Sequence, residues 1–193
     1  MKRLTERDYR ISDWSGGKTI QIAIGPEGAE YAERSFLWRL SSATVDLDES
    51  DFTALPDYMR WIAPIRGEMR LTHNGGAPLD LAPYEAHLFD GADDTHSWGR
   101  CTDFNLMLRK GRCTGAICAL GSGEAKEETF VPDAATETLI VYCTEGGMTV
   151  AAGEDSVTLG EREAAVLERP VGPLTLTFTA GGRAMAAAIR AEA

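Results

Sequence analysis

The sequence predicts an all-β chain built as two small barrels, and three observations predict it. Apolar and polar residues alternate with the period of a half-buried strand, turn signals interrupt that alternation at short intervals, and one strand-turn-strand segment recurs.

The alternation is clearest in the second half. Leu139, Val141 and Cys143 share one face, followed by Met148 with Val150 and by Val157 with Leu159. Leu174, Leu176 and Phe178 then alternate with Thr175, Thr177 and Thr179. In the first half the same pattern runs through Phe36 to Ala43, Met59 to Ala63 and Thr102 to Met107. Turns fall at Asn74-Gly75-Gly76, Gly121-Ser122-Gly123, Gly146-Gly147, Gly153-Glu154-Asp155 and Gly181-Gly182. Arg183 to Ala193 has a helix-like composition, yet Met185, Ala187 and Ile189 alternate after a Gly-Gly turn, which favours a last strand.

The repeat appears when Gly67 is placed over Gly146. Gly67-Glu68-Met69-Arg70-Leu71 then lies over Gly146-Gly147-Met148-Thr149-Val150, and Leu81 over Leu159. Tyr84-Glu85-Ala86-His87-Leu88-Phe89 follows over Arg162-Glu163-Ala164-Ala165-Val166-Leu167. The order of apolar strand, glycine, hairpin, leucine, Glu-Ala corner and apolar strand resembles the cupin core, the double-stranded β-helix or RmlC-like jelly roll. Two copies make a bicupin. Residues 1–115 are expected to hold an N-terminal segment and the first barrel, and residues 116–193 a second, degenerate barrel packed with it as one structural unit. The small-residue stretch from Gly111 to Lys126 is the expected connection.

Composition narrows the function classes. A chain of 193 residues with net charge −11 carries no Lys/Arg-rich run, so nucleic acid and anionic membranes are not expected partners. Its apolar stretches fall far short of a membrane span, and the start, Met1-Lys2-Arg3-Leu4-Thr5-Glu6-Arg7-Asp8, lacks an apolar signal core. A soluble, cytoplasmic protein is the expectation. Cys101, Cys113, Cys118 and Cys143 lack the paired spacing of a zinc site and read as idle thiols.

Metal cupins converge several histidines on one ion, and this chain has three in all. Where the first copy would place the metal-binding Glu stands Arg60, a cation. His96, near Asp90, Asp93 and Asp94, is the one place for a weak metal site; a solvated acidic loop is the plainer reading. His73 reads as a surface residue before its turn, and His87 as satisfied or exposed. No cofactor is expected, and no nucleophile or phosphate-loop motif is present.

The arginines carry the chemistry. Alternation places Arg39 and Ser41 on one face, with Trp38 on the other, and places Arg60 with Ile62. Asp103 and Asn105 alternate with Phe104 and Leu106. An arginine facing a barrel interior must meet an anion, which is either a protein carboxylate such as Asp103 or an acidic ligand. The first alternative makes Arg39 or Arg60 a structural pin; the second makes a binding site.

The runs Phe36 to Ala43 and Asp51 to Arg60, then Gly67, Leu88-Phe89-Asp90-Gly91 and Thr102 to Met107, resemble the HutD/Ves family in order and spacing. Trp14-Ser15-Gly16-Gly17-Lys18-Thr19 is similar to that family's opening, though shorter and without its Asn. The resemblance implies a metal-poor bacterial bicupin of histidine utilisation, or of stress response in the Ves branch. It further implies a regulatory protein that binds an acidic intermediate of histidine degradation, N-formylglutamate or urocanate. Arg39, Ser41, Arg60, Phe89, Asp103 and Asn105 match its motif positions and are the candidate ligand-binding residues, with Trp38 or Phe89 as an apolar wall. No catalytic residues are implied, and binding is favoured over catalysis. A cupin enzyme, metal-free or with a weak metal site, and a structural interaction module stay open as alternatives, the latter compatible with a homodimer.

Overall fold

The computed structural model describes residues 1–192 as β-strands joined by short turns, with one 3-10 turn at Tyr31–Glu33 among the described residues. Two compact units result, Arg10–Thr114 and Met1–Tyr9 with Gly115–Glu192. The first strand, β1 (Lys2–Leu4), pairs antiparallel with residues 164–166 and so joins the second unit, whereas the sequence grouped it with the first. Three residues are too few to display an alternation; edge pairing buries Leu4 and decides the placement.

The first unit comprises β2 (Arg10–Trp14), β3 (Gly17–Gly25), β4 (Trp38–Val45), β5 (Glu49–Asp51), β6 (Tyr58–Gly67), β7 (Met69–His73), β8 (Leu79–Leu81), β9 (His87–Asp90), β10 (Thr95–Trp98) and β11 (Cys101–Arg109). A six-stranded sheet runs β2-β3-β4-β11-β6-β9 and a four-stranded one β5-β10-β7-β8. Ile62, Met69, Leu71, Leu81 and Phe89 form one core cluster of this unit. Phe36 stacks on Tyr58 at 4.3 Å between ring centroids and forms a second cluster with Leu55 and Met107.

The second unit comprises β12 (Cys113–Leu120), β13 (Glu127–Phe130), β14 (Thr138–Glu145), β15 (Gly147–Ala152), β16 (Asp155–Gly160), β17 (Ala164–Glu168), β18 (Leu174–Phe178) and β19 (Arg183–Ala191). Its sheets run β1-β17-β14-β19-β12 and β13-β18-β15-β16. Half of the stretch expected as a plain connection is strand β12, which borders β19. Gly115 permits that approach: a Cβ there would stand 2.3 Å from the Ala188 carbonyl oxygen. The residues read as inward-facing, Leu139, Val141, Cys143, Met148, Val150, Leu159, Leu174, Leu176 and Phe178, are all in one buried core. The last strand is β19, as the alternation of Met185, Ala187 and Ile189 predicts.

The repeat is visible in geometry. Met69 lies opposite Leu81 across β7 and β8, and Met148 opposite Leu159 across β15 and β16. Gly67 and Gly146 have φ of 72° and 65°, and the corner residues Tyr84 and Arg162 have φ of 69° and 67°. Each corner is tied alike. Tyr84 N–H donates to Pro64 O and Arg162 N–H to Cys143 O, both at 2.7 Å. Glu85 Oε2 accepts the Ala82 N–H at 3.1 Å, and Glu163 Oε2 the Gly160 N–H at 2.8 Å. A Glu side chain capping a backbone N–H three residues back explains why that residue recurs at a polar corner.

Candidate functional site

The site is built on the inner face of the six-stranded sheet. Residues directly opposite one another across antiparallel strands share a face, so the register arranges them in rows. One row reads Arg39, Met107, Arg60 and Phe89 across β4, β11, β6 and β9. The next reads Gln21, Ser41, Asn105, Ile62 and His87, and a third Thr19, Ala43, Asp103 and Pro64. Arg39 and Arg60 flank β11 and therefore stand two strand spacings apart, about 10 Å between their backbones.

Over these rows lies a cavity of about 450 Å³ in the first unit, a size suited to a small ligand. Arg39, Ser41, Arg60, Asp103 and Asn105 all line it. Phe89 stands behind Arg60, its ring centroid 5.1 Å from the guanidinium carbon, while Phe52 packs against the same group at 4.9 Å and lines the cavity. Trp38 is not among the lining residues. Strand alternation turns it to the opposite face, against Gly25, and the aromatic wall comes instead from Trp14, Tyr31 and Phe52.

Arg34, Tyr31 and Gln21 are the residues sequence reasoning missed. Tyr31 and Arg34 belong to a non-repetitive turn where no periodicity assigns a face. Arg34 adopts φ 54°, and its carbonyl accepts Tyr58 Oη–H at 2.9 Å and Arg109 Nη1–H at 2.8 Å. That clamp holds the turn against the cavity. The Arg34 and Arg39 guanidinium carbons lie 3.8 and 4.2 Å from the Tyr31 ring centroid, two cations on one electron-rich ring.

Protein partners only partly satisfy the polar groups. Arg39 Nε–H donates to Gln21 Oε1 at 2.9 Å and Arg39 Nη1–H to Ser41 Oγ at 3.1 Å. Arg60 Nη1–H donates to the Thr53 carbonyl at 3.3 Å. Asp103 Oδ1 accepts the Ala43 N–H at 3.3 Å, and neither Arg39 nor Arg60 forms an ion pair with it among the described residues. Four buried polar side-chain atoms lack a partner among the described residues: Trp14 Nε1, Arg34 Nη1, Arg60 Nε and Asn105 Oδ1. All four residues line this cavity.

Burial lowers the Arg60 guanidinium from its ordinary value; Asp103 opposes that shift, while Arg39 and Arg34 add to it by repulsion. Arg39 is lowered likewise, by burial first and by Arg34. Burial pushes the Asp103 carboxyl up to about 7, against the pull of Arg60, the Ala43 N–H and Arg39. The acidic residues at the cavity's edge are engaged elsewhere, Asp51 with His96 Nδ1 at 2.6 Å and Asp13 with Lys18 at 3.8 Å.

The histidines differ from expectation. His73 is half-buried rather than on the surface: its Nε2 lies 2.9 Å from His87 Nε2 and its Nδ1 2.9 Å from Thr95 Oγ1. Burial lowers both imidazoles. His96 meets Asp51 and Glu49, not Asp90, Asp93 or Asp94, because the pairing of β10 with β5 sets it directly opposite Asp51; Asp90 pairs with Lys110 and Asp93 with Asn74. Among the described residues no group of three or more His, Cys, Asp or Glu side chains is placed to hold a metal ion.

A second and larger concavity, about 880 Å³, is lined by Met69, Arg70, Asp80, Leu81, Glu85 and Trp98 among others. Its Arg70 and Asp80 are already paired at 2.5 Å, and it contains none of the unsatisfied buried atoms. The smaller cavity is therefore the candidate site.

No curated protein matches the chain. Among solved structures, a conserved protein of unknown function from Pseudomonas aeruginosa PAO1 superposes with a TM-score of 0.83 at 23% identity, covering 100% of this chain and 99% of that one. HutD from Pseudomonas fluorescens SBW25, solved in a formate condition, gives 0.79 at 22% identity with the same coverage. The pirin YhhW from Escherichia coli, solved with nickel(II), gives 0.67 at 6% identity over 97% of each chain, a likeness of cupin fold alone. The HutD family model matches residues 6–186, and with that match over nearly the whole chain the protein belongs to the HutD family.

Proposed function

We propose that the protein binds a small organic acid in the first-unit cavity and serves as a regulatory binding protein of histidine degradation, with N-formylglutamate or urocanate as its ligand. The observation that carries this reading is the convergence of unpartnered buried groups, since three are donors, two of them on guanidinium groups, and one is an acceptor. A buried donor without a partner costs about 1–3 kcal/mol, so a site that keeps several is shaped for something that fills it. A carboxylate takes guanidinium N–H groups with charge assistance, and Asn105 Oδ1 suits an N–H on the same ligand. Both candidate acids carry a carboxylate and an N–H.

Charge favours N-formylglutamate over urocanate. Three arginines line the cavity; of its three carboxylates Asp13 and Asp51 are paired with Lys18 and His96 and Asp103 is buried, so a dianion balances the arginines better than a monoanion.

The test is thermal unfolding against N-formylglutamate, urocanate, glutamate and formate. A ligand at about 100 times its Kd adds about 2.7 kcal/mol of stability. The expected order places N-formylglutamate first, and indifference to all four acids would overturn the assignment.

A further inference from the structure

We infer that the cavity takes up a proton on Asp103 together with its anionic ligand, so that the acid is bound as anion plus proton. The inference rests on the proposed function and adds a linkage that acid binding alone does not require.

The geometry that carries it is the position of Asp103. Its side chain is buried, it lines the same cavity as Arg34, Arg60 and Asn105, and among the described residues its carboxylate accepts one hydrogen bond, from the Ala43 backbone N–H. An anion entering this cavity therefore places a second negative charge beside a buried carboxylate on which no guanidinium fork is seated among the described residues. Two carboxylates in one desolvated site do not both stay ionised at no cost; one of them binds a proton more tightly than before.

Donor placement decides which one. A ligand carboxylate in the cavity stands beside the Arg60 and Arg34 guanidinium groups, whose positive charge favours its ionised form. Asp103 holds a single neutral backbone donor at 3.3 Å. Once protonated, Asp103 also becomes a hydrogen-bond donor, and the Asn105 side-chain oxygen, two residues along β11 on the same inward face, has two acceptor lone pairs, one for the ligand N–H and one for this proton.

The charged and titratable groups around Asp103 come from every neighbouring element, including Asp13 of β2 and Asp51 of β5 at the cavity's edge, paired outside it with Lys18 and His96 respectively. Arg39 faces Asp103 from β4, Arg60 from β6, Cys101 from its own strand, and Arg34 and Tyr31 line the cavity from the turn before β4. The arginines keep their charge at neutral pH, and burial holds the Cys101 thiol protonated, its pKa pushed up to about 12. Asp103 is the buried carboxyl of the cavity, raised by burial to about 7 before any ligand arrives. An anion raises it further, so affinity falls as the pH rises through that value. Between about pH 6 and about pH 8 the loss approaches tenfold if the bound-state carboxyl stays protonated throughout.

The experiment is calorimetric titration of N-formylglutamate into the full chain at neutral pH, in Tris and in MOPS, whose ionisation enthalpies differ. The expected result is a buffer-dependent heat that reports net proton uptake, together with the approach to tenfold weaker binding across the pH interval. In D103N the buffer dependence disappears and affinity becomes flat with pH. Should that variant fold poorly, the carboxyl ¹³C shift of Asp103 in the wild-type protein, followed with and without N-formylglutamate, reads the same protonation directly. Binding with no proton uptake, or an Asp103 carboxyl that stays ionised in the complex, overturns this inference and leaves the proposed function standing. No binding heat with any acid of the panel overturns both.

Discussion

Replacing Arg60 with methionine separates a structural pin from a ligand-binding cation. Met matches much of the arginine stem and keeps the contact with Phe52 and Phe89, which lie 4.9 and 5.1 Å from the guanidinium carbon. The variant loses the 3.3 Å hydrogen bond to the Thr53 carbonyl, worth about 1 kcal/mol, and a cation–π contribution of about 0.5–2 kcal/mol. Against this it removes a buried Nε–H with no partner, about 1–3 kcal/mol, and the desolvation of a charge that forms no ion pair. Asp103 loses attraction from Arg60, so its carboxyl moves further up and stays protonated near neutrality. The terms nearly cancel, and the expected change in folding stability is within about 1 kcal/mol of zero. Binding behaves differently: the stabilisation of about 2.7 kcal/mol that a saturating acid gives the wild-type protein should vanish. Urea unfolding monitored by tryptophan fluorescence, with and without N-formylglutamate, reads both quantities. A loss above about 3 kcal/mol without ligand would refute the reasoning, since it is the signature of a broken buried ion pair.

Three further outcomes follow from the structure. In the wild-type protein, His73 and His87 are held below their ordinary values, so at these two sites the unfolded chain binds more protons than the folded one as the pH falls below about 6.5, and their contribution to stability declines there, against the opposite contribution of Asp103 and His96, which are held above theirs. His87→Gln should flatten that decline in urea midpoints measured at about pH 7.5 and about pH 5.5; an unchanged slope would contradict it. Leu159→Ala, at a site 1% exposed opposite Met148, should cost about 2–5 kcal/mol in equilibrium unfolding, and a smaller loss would mean that the second core collapses around the cavity. Gly67→Ala forces a Cβ at φ 72° to 2.5 Å from the Arg100 carbonyl oxygen; a loss of at least about 1–3 kcal/mol is expected, and a neutral result would argue against this turn geometry.

The duplicated architecture was legible because it rests on local signals that survive without tertiary information. Strand alternation assigned Arg39 and Ser41 to one face and Trp38 to the other, and that assignment depends only on the pleat. Gly67 and Gly146 mark positions of positive φ, and Glu85 and Glu163 cap their own corners within three residues. Long-range pairings were not legible. Nothing local tells that Lys2–Leu4 extends a sheet of the second unit through Ala164–Val166, or that β12 runs beside β19. His73 and His87 were read apart because their contact joins β7 to β9 across the two sheets.

The sequence by itself determined that this chain is all-β, that it carries its unit twice, and that Arg39 shares a strand face with Ser41 and Arg60 with Ile62. Each of those statements follows from period, turn chemistry or residue type, which are properties of short segments. Tertiary structure decided that the face carrying Arg39 and Arg60 is the inner one, that the arginines form no pin with Asp103, that Arg34 and Tyr31 complete the site from an irregular turn, and that four unpartnered polar atoms converge on one cavity. The physical reason is that hydrogen-bond satisfaction and desolvation depend on every group within a few ångströms of an atom, whatever its distance along the chain.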